Sequence, residues 1–213
     1  MLTTILPDDP EARARAALVV AAGGVLAFRT DTFYGLGADP FNPNALITLN
    51  ELKGRDSKPI LLVVSDLPAA SRFIRSASPL FKLLAERHWP GPLTLVAEAH
   101  VSVPVEVTAG TGTIGVRLPD DEDVRGFVRA CGGALTATSA NPAGEPPART
   151  APEAARYFQD LLELVVDGGP ARTELPSTVI DTTGQTARLI REGALPSEVI
   201  RRTLRAAGAE LLA

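Results

Sequence analysis

Apolar positions along this chain switch between helical spacing and short, nearly continuous runs. Asp9 before Pro10 is a cap and first-turn proline, opening a helix to Ala22 that stops at Gly23-Gly24. Asn42-Pro43 repeats the signal, with Leu46, Leu49, Asn50 and Lys53 at helical intervals, and Ser78-Pro79 repeats it again ahead of a helix over 78–89. Further helices are predicted over 68–74, 121–131, 151–162 and 196–207. Strands are predicted over 25–28, 59–65, 93–97, 113–118, 134–138, 164–166, 177–181 and 187–191, with Val101, Val103, Val105 and Val107 alternating between two of them. Strands and helices alternate throughout, so the class is α/β. The late group of three strands with few helices between them predicts a mixed sheet. No internal repeat and no linker divides residues 1–213, which are expected to form one domain.

The stretch FRTDTFYGLGADPF, residues 28–41, follows the run Val25 to Phe28 and is rich in small hydroxyls. Thr30, Thr32 and Tyr34 alternate, so in an extended segment they would share one face and receive a small polar ligand. The competing reading is an ornate turn in which Asp31 and Asp39 cap backbone amides. In KGRDSKP, Lys53, Arg55 and Lys58 place three cations within six residues, enough to surround a polyphosphate, although Lys53 also suits a helix C-terminus. Only three of the 21 basic residues are lysines, and two of them lie here. Thr113, Gly115 and Arg117 share a strand face, where Arg117 would pair either with a ligand carboxylate or with an internal acid. Ser139 and Asn141 stand at a strand end before the flexible rim Gly144 to Pro147, Ser177 and Thr178 at another strand's mouth, and Arg191 at a third strand's end.

Composition narrows the chemistry. Of the 213 residues 45% are hydrophobic and 22% charged, ordinary for a globular enzyme, and the net charge of −4 argues against a surface that grips nucleic acid throughout. One cysteine, Cys131, excludes an internal disulfide and suits a cytoplasmic protein. No apolar run approaches the ~18 residues of a membrane span. His88 and His100 lie in unrelated contexts, so no metal cluster and no Ser-His-Asp or Cys-His arrangement can be drawn. An enzyme built this way works by placing reactants and balancing charge.

FRTDTFYGLGADPF, LKGRDSKPILLVV, HWPGPLTLV, GTIGVRLPD, TATSANPAGEPP, DGGP, STVID and LIREGAL, in this order, resemble the YrdC family of threonylcarbamoyl-AMP synthases over about residues 24–193. The resemblance implies a twisted mixed sheet with flanking helices around a concave, positively charged cavity, in the short form without an extra C-terminal domain. It implies a nucleotidyltransferase that joins L-threonine, bicarbonate and ATP into threonylcarbamoyl-AMP and pyrophosphate, for modification of the tRNA adenosine beside the anticodon. Magnesium would accompany ATP, with no organic cofactor. A separate transferase complex would take the product, and weak tRNA contact is expected. By the same resemblance Lys53, Arg55, Ser139 and Asn141 are catalytic. Arg55, Lys58, Thr113, Ser139, Pro147 and Arg191 contact ATP, and Thr32, Tyr34, Arg117, Ala137 and Ser177 contact threonine. Three positions depart from the family pattern: Arg29 replaces a proline, Val63-Val64 stands where many members carry a histidine, and Pro176 replaces a glutamate. Two alternatives stand beside this reading: a paralog handling another carbamoyl-adenylate, and a non-catalytic RNA-binding module.

Overall fold

Side-chain caps start most of the helices. The computed structural model describes residues 3–54 and 58–212. In chain order these form β1 (Thr4–Pro7), α1 (Pro10–Ala21), β2 (Leu26–Arg29), β3 (Tyr34–Gly37), α2 (Pro43–Lys53), β4 (Leu62–Val64) and α3 (Leu67–Ser71). Then come β5 (Ile74–Ser76), α4 (Pro79–His88), β6 (Leu93–Ala99), α5 (Val105–Thr108), β7 (Thr113–Arg117), α6 (Glu122–Ala130), β8 (Ala134–Thr136) and β9 (Thr138–Ser139). The remainder is α7 (Ala151–Tyr157), β10 (Leu164–Asp167), β11 (Thr178–Asp181), β12 (Ala187–Arg191), α8 (Ser197–Ala206) and β13 (Leu211–Leu212). Asp9, Asn42, Asp66, Ser78, Asp121 and Thr150 each accept a first-turn backbone N–H, supplying partners the helix itself lacks.

The strands assemble into two mixed sheets where the sequence predicts one. The smaller runs β1-β10-β2-β3-β9, and the larger runs β13-β12-β11-β6-β7-β4-β8 with β5 on β6. The chain passes from the larger sheet to the smaller between β8 and β9, and Ala137 at that crossing donates its N–H to Leu61 O at 2.8 Å. The larger hydrophobic core includes Tyr34, Leu36, Leu46, Leu62, Leu95 and Val116. A second core closes α1 and α6 over β2 and β10, with Phe28 and Phe127 stacked at 5.2 Å. No helix among the described residues is long and apolar enough to cross a membrane.

Local pattern misjudges the shortest elements. Thr4–Pro7 forms an edge strand on β10, and Tyr34–Gly37, expected as loop, is a buried strand between β2 and β9. The strand predicted over 59–65 contracts to Leu62–Val64, and the segment of alternating valines ends in the one-turn helix α5. Helix α3 stops at Ser71 and the chain turns into β5. Each of these depends on a partner strand or a packing surface supplied from elsewhere in the chain.

Gly193, past the end of β12, is required by close approach. A Cβ there would lie 2.1 Å from Pro176 O and 2.7 Å from Ser177 O. Gly193→Ala is therefore expected to push β12 away from residues 176–177 and cost about 1–3 kcal/mol, the usual range for overpacking. Urea unfolding should show a lower midpoint at unchanged slope, and an unchanged midpoint would refute the tight approach.

Candidate active site

Between the two sheets lies a cavity of about 900 Å³. Its floor is one face of the larger sheet, and register explains which residues reach it. Across the strands Arg191 pairs with Val179, Val179 with Thr94, and Arg117 with Val63. One step along, Arg188 pairs with Asp181, Asp181 with Val96, and Val96 with Gly115. All of these line the cavity: side chains two apart on a strand share a face, and a register shift against β11 brings Arg188 and Arg191, three apart on β12, to the same side. Gly115 keeps the floor shallow, because a Cβ there would meet Leu61 Cδ2 at 2.4 Å. The smaller sheet supplies the opposite wall through Thr30, Thr32, Tyr34, Gly35 and Ser139, with Ala137 at the crossing.

Ten of the sequence-assigned site residues line this one space: Thr32, Tyr34, Lys58, Thr113, Arg117, Ala137, Ser139, Pro147, Ser177 and Arg191. Arg55 lies outside the described residues. Lys53 and Asn141 do not reach the surface of the cavity; they brace its wall from behind. Buried Lys53 Nζ donates to Ser139 O at 2.6 Å, to Asn141 O and to Asn141 Oδ1 at 3.1 Å. Asn141 Nδ2 donates to Pro142 O and Glu145 O, and Ala148 N–H returns to Ala140 O. The ammonium thus organises the loop after Ser139.

The hydroxyl row comes from a bend, not from the extended strand the alternation suggests. Thr30 and Thr32 Oγ1 stand 3.1 Å apart, and Arg117 donates from Nη1 to Thr32 at 3.2 Å and from Nη2 to Thr30 at 3.3 Å. Arg117 also pairs with Asp31 at 3.2 Å, so the internal-acid reading of this arginine holds alongside its place on the cavity. Tyr34 turns away from the other two: its hydroxyl donates to Asp167 Oδ1 and Gly169 O, and burial, then the Asp167 charge, raises its pKa.

Several participants carry no sequence signal beyond strand alternation. Thr94 shares a hydrogen bond with Ser177 at 2.8 Å, and Arg191 donates to Ser177 O at 2.9 Å. Arg191 is open to solvent on one side, yet partial loss of hydration and the neighbouring charge of Arg117 both lower its pKa. Both guanidinium groups line the one cavity. Glu174 and Asp181 line the space too, held by Arg149 and Arg188. Val63, at the histidine departure, lies beside Arg117. Arg29, at the proline departure, makes a buried ion pair of 2.7 Å with Asp121, which also meets Arg172 at 3.3 Å. Cys131 is buried away from the cavity with its pKa pushed up to about 12, and His88 and His100 bond to Thr203 and Ser102.

A sequence profile of the Sua5, YciO and YrdC proteins, described as “Telomere recombination”, matches residues 19–193. The chain belongs to this family. Among its members, the threonylcarbamoyl-AMP synthase of Thiobacillus denitrificans is 40% identical over 168 residues, spanning 78% of this chain and 89% of that protein. The threonylcarbamoyl-AMP synthase of Pyrococcus abyssi is 35% identical over 190 residues, which cover 89% of this chain and only 56% of that protein. The crystal structure of P. abyssi Sua5 complexed with L-threonine superposes with a TM-score of 0.90 at 31% identity, covering 99% of this chain and 62% of that one. E. coli YciO aligns with a TM-score of 0.80 at 25% identity, over 91% of this chain and 97% of its own.

Two outcomes test the buried charges. Lys53→Met leaves three buried oxygens of Ser139 and Asn141 without this donor, so stability is expected to fall by at least about 2 kcal/mol and the 140–148 amides to exchange faster. Unchanged exchange would mean that Lys53 does not brace the loop. For Asp121, burial favours the neutral acid, but the Arg29 bond, the Val124 amide and the charges of Arg29 and Arg172 outweigh it and lower the pKa. A depressed folded-state pKa stabilises above the unfolded value of about 3.9 and is lost as pH falls through the folded one. Asp121→Asn should cost about 3–5 kcal/mol at neutral pH and flatten the loss of stability on acidification; an acid limb as steep as before would refute it.

Proposed function

We propose that this chain makes threonylcarbamoyl-AMP and pyrophosphate from L-threonine, bicarbonate and ATP, in the cytoplasm. The observation that carries the reading is the single cavity in which Arg117 with its two threonine hydroxyls, the Thr94-Ser177-Arg191 group, Lys58 and Ser139 all meet. The resemblance to threonylcarbamoyl-AMP synthases over most of the chain supplies the substrates.

The residue types suit that chemistry. Threonine's neutral amine adds to the carbon of carbon dioxide or bicarbonate to give an N-carboxylate, with a proton lost in the first case and water in the second. A carboxylate oxygen then attacks the α-phosphorus, the bond to the β-phosphate oxygen breaks, and pyrophosphate leaves. The nucleophile belongs to the substrates, which agrees with a cavity lined by arginines, a lysine and hydroxyls. Two anions must approach, so fixed cations offset their repulsion and the charge on the leaving group. Arg117 would hold the amino-acid carboxylate, with Thr32 and Ser177 beside it, while Lys58, Ser139, Thr113 and Arg191 hold the nucleotide. Lys53 and Asn141 act behind Ser139 by fixing the loop. Aligning bound reactants contributes roughly 7–11 kcal/mol towards the barrier.

Magnesium fits only as a companion of the nucleotide. Among the described residues no group of three His, Cys, Asp or Glu side chains converges, and the two cavity carboxylates are already ion-paired. The product is a reactive mixed anhydride, for which a threonylcarbamoyl transferase complex acting on tRNA is the expected consumer, with at most weak direct tRNA contact.

Incubation with ATP, labelled bicarbonate and threonine should release pyrophosphate only when all three are present, with the label in a threonylcarbamoyl-AMP mass. Pyrophosphate release without threonine would overturn the reading. Arg117→Lys keeps a cation beside Asp31 but loses the planar fork. Loss of a charge-assisted bond of about 1.5–3 kcal/mol should weaken threonine roughly ten- to hundredfold, with ATP little affected. Calorimetry with each ligand separates the two, and an equal loss for both would place Arg117 elsewhere in the reaction.

A further inference from the structure

Beneath the amino-acid end of the cavity lies a carboxylate held by little except Arg117. Asp31 is 8% exposed, and among the described residues neither of its oxygens receives a hydrogen bond. Among the described residues its one ion pair is with Arg117 Nη2, from β7. From the turn after β7, the Asp121 carboxylate repels it, while the backbone N–H groups of Asp120 and of Asp31 itself favour the anion without reaching bonding geometry. Asp121 is in turn neutralised by Arg29 of β2 and by Arg172. Arg191 of β12 lies close enough to Arg117 for the charge of Arg117 to lower its pKa. Burial outweighs the attraction of Arg117 and raises the pKa of Asp31.

We propose that Asp31 is the internal counter-ion of Arg117 and takes a proton from solvent when an anionic ligand engages that guanidinium. The inference rests on Arg117 being the seat of the amino-acid carboxylate. The fork of Arg117 is shared among Asp31, Thr30 and Thr32. A ligand carboxylate must draw that fork towards the cavity, which weakens the one charge that offsets Asp31. An unpaired carboxylate in a dry site is costly, and protonation is the less costly outcome. The step forms one O–H bond on Asp31, replaces an internal ion pair with one to the ligand, and draws its proton from buffer. The neutral acid also gains a donor, which suits a site crowded with hydroxyl oxygens. Asp31 is thus a positioning residue that acts through Arg117. Because binding takes up protons, threonine affinity falls as pH rises, by at most about tenfold per unit for one proton.

Calorimetric titration of L-threonine into the full chain near pH 7, in buffers of different ionisation enthalpy, reads the protons exchanged. The native protein is expected to take up more protons per threonine than Asp31→Asn, by a difference of up to one. Any change at threonine's own amine is common to both proteins and cancels. Equal proton counts in two proteins that both bind threonine overturn the proposal. Failure of the native protein to bind threonine while it binds ATP overturns the assignment of Arg117, and the proposal with it. Should Asp31→Asn fail to fold, carboxyl carbon resonances of the native protein decide. One aspartate is expected to move towards its protonated shift on adding threonine, and a spectrum in which none moves overturns the proposal.

Discussion

Arg117 reaches from β7 of the larger sheet to Thr30, Asp31 and Thr32 on the β2–β3 turn of the smaller, and much of the site follows from that single crossing. Two sheets facing one another normally interdigitate side chains and close the space between them. Here the floor strands present threonine, glycine, valine and arginine to a cavity instead, so the interval between sheets is held by polar ties at its edges. A buried guanidinium needs partners that offset its charge, and those of Arg117 are the Asp31 carboxylate and the hydroxyls of Thr30 and Thr32.

The cations of the site divide by what they are bonded to. Lys53 is sunk behind the wall, and its ammonium holds the backbone of Ser139 and Asn141 in place. Arg188 is matched by Asp181, and Arg29 by Asp121. Lys58 stands exposed at the rim, and Arg191 grips the Ser177 carbonyl while facing the cavity. The proposed binding of two anionic reactants would draw on both kinds. Some charges give the backbone its shape, and others remain able to exchange water for phosphate or carboxylate. The same division explains why residues sharing a short sequence motif, Lys53 and Lys58, occupy different sides of the wall.

Much of the architecture was legible in the chain because its signals are local. The cap-plus-proline starts at Asp9, Asn42 and Ser78 are formed as read, since a side-chain oxygen and a fixed φ act on the adjacent turn whatever lies beyond it. The common face of Thr113, Gly115 and Arg117 also follows from strand period alone. The edge strand at Thr4 and the partition into two sheets were not legible, because each is a pairing between segments distant in sequence; Tyr34–Gly37 forms a local hairpin with β2, but its other edge is covered by the distant β9.

For the site, the order of its motifs determined which residues gather, and family membership follows from those same residues. What each one does in the gathering was decided by the tertiary structure. Sequence left Arg117 open to a ligand or an internal acid, and only folding set Asp31 against it while keeping it on the cavity. Sequence likewise grouped Tyr34 with Thr30 and Thr32, and only the bend after Thr30 turned its hydroxyl to Asp167. The reason is physical: a pattern of residue types specifies the direction of a side chain relative to its own backbone. Its partners, its burial and hence its charge depend on strands brought alongside from elsewhere in the chain.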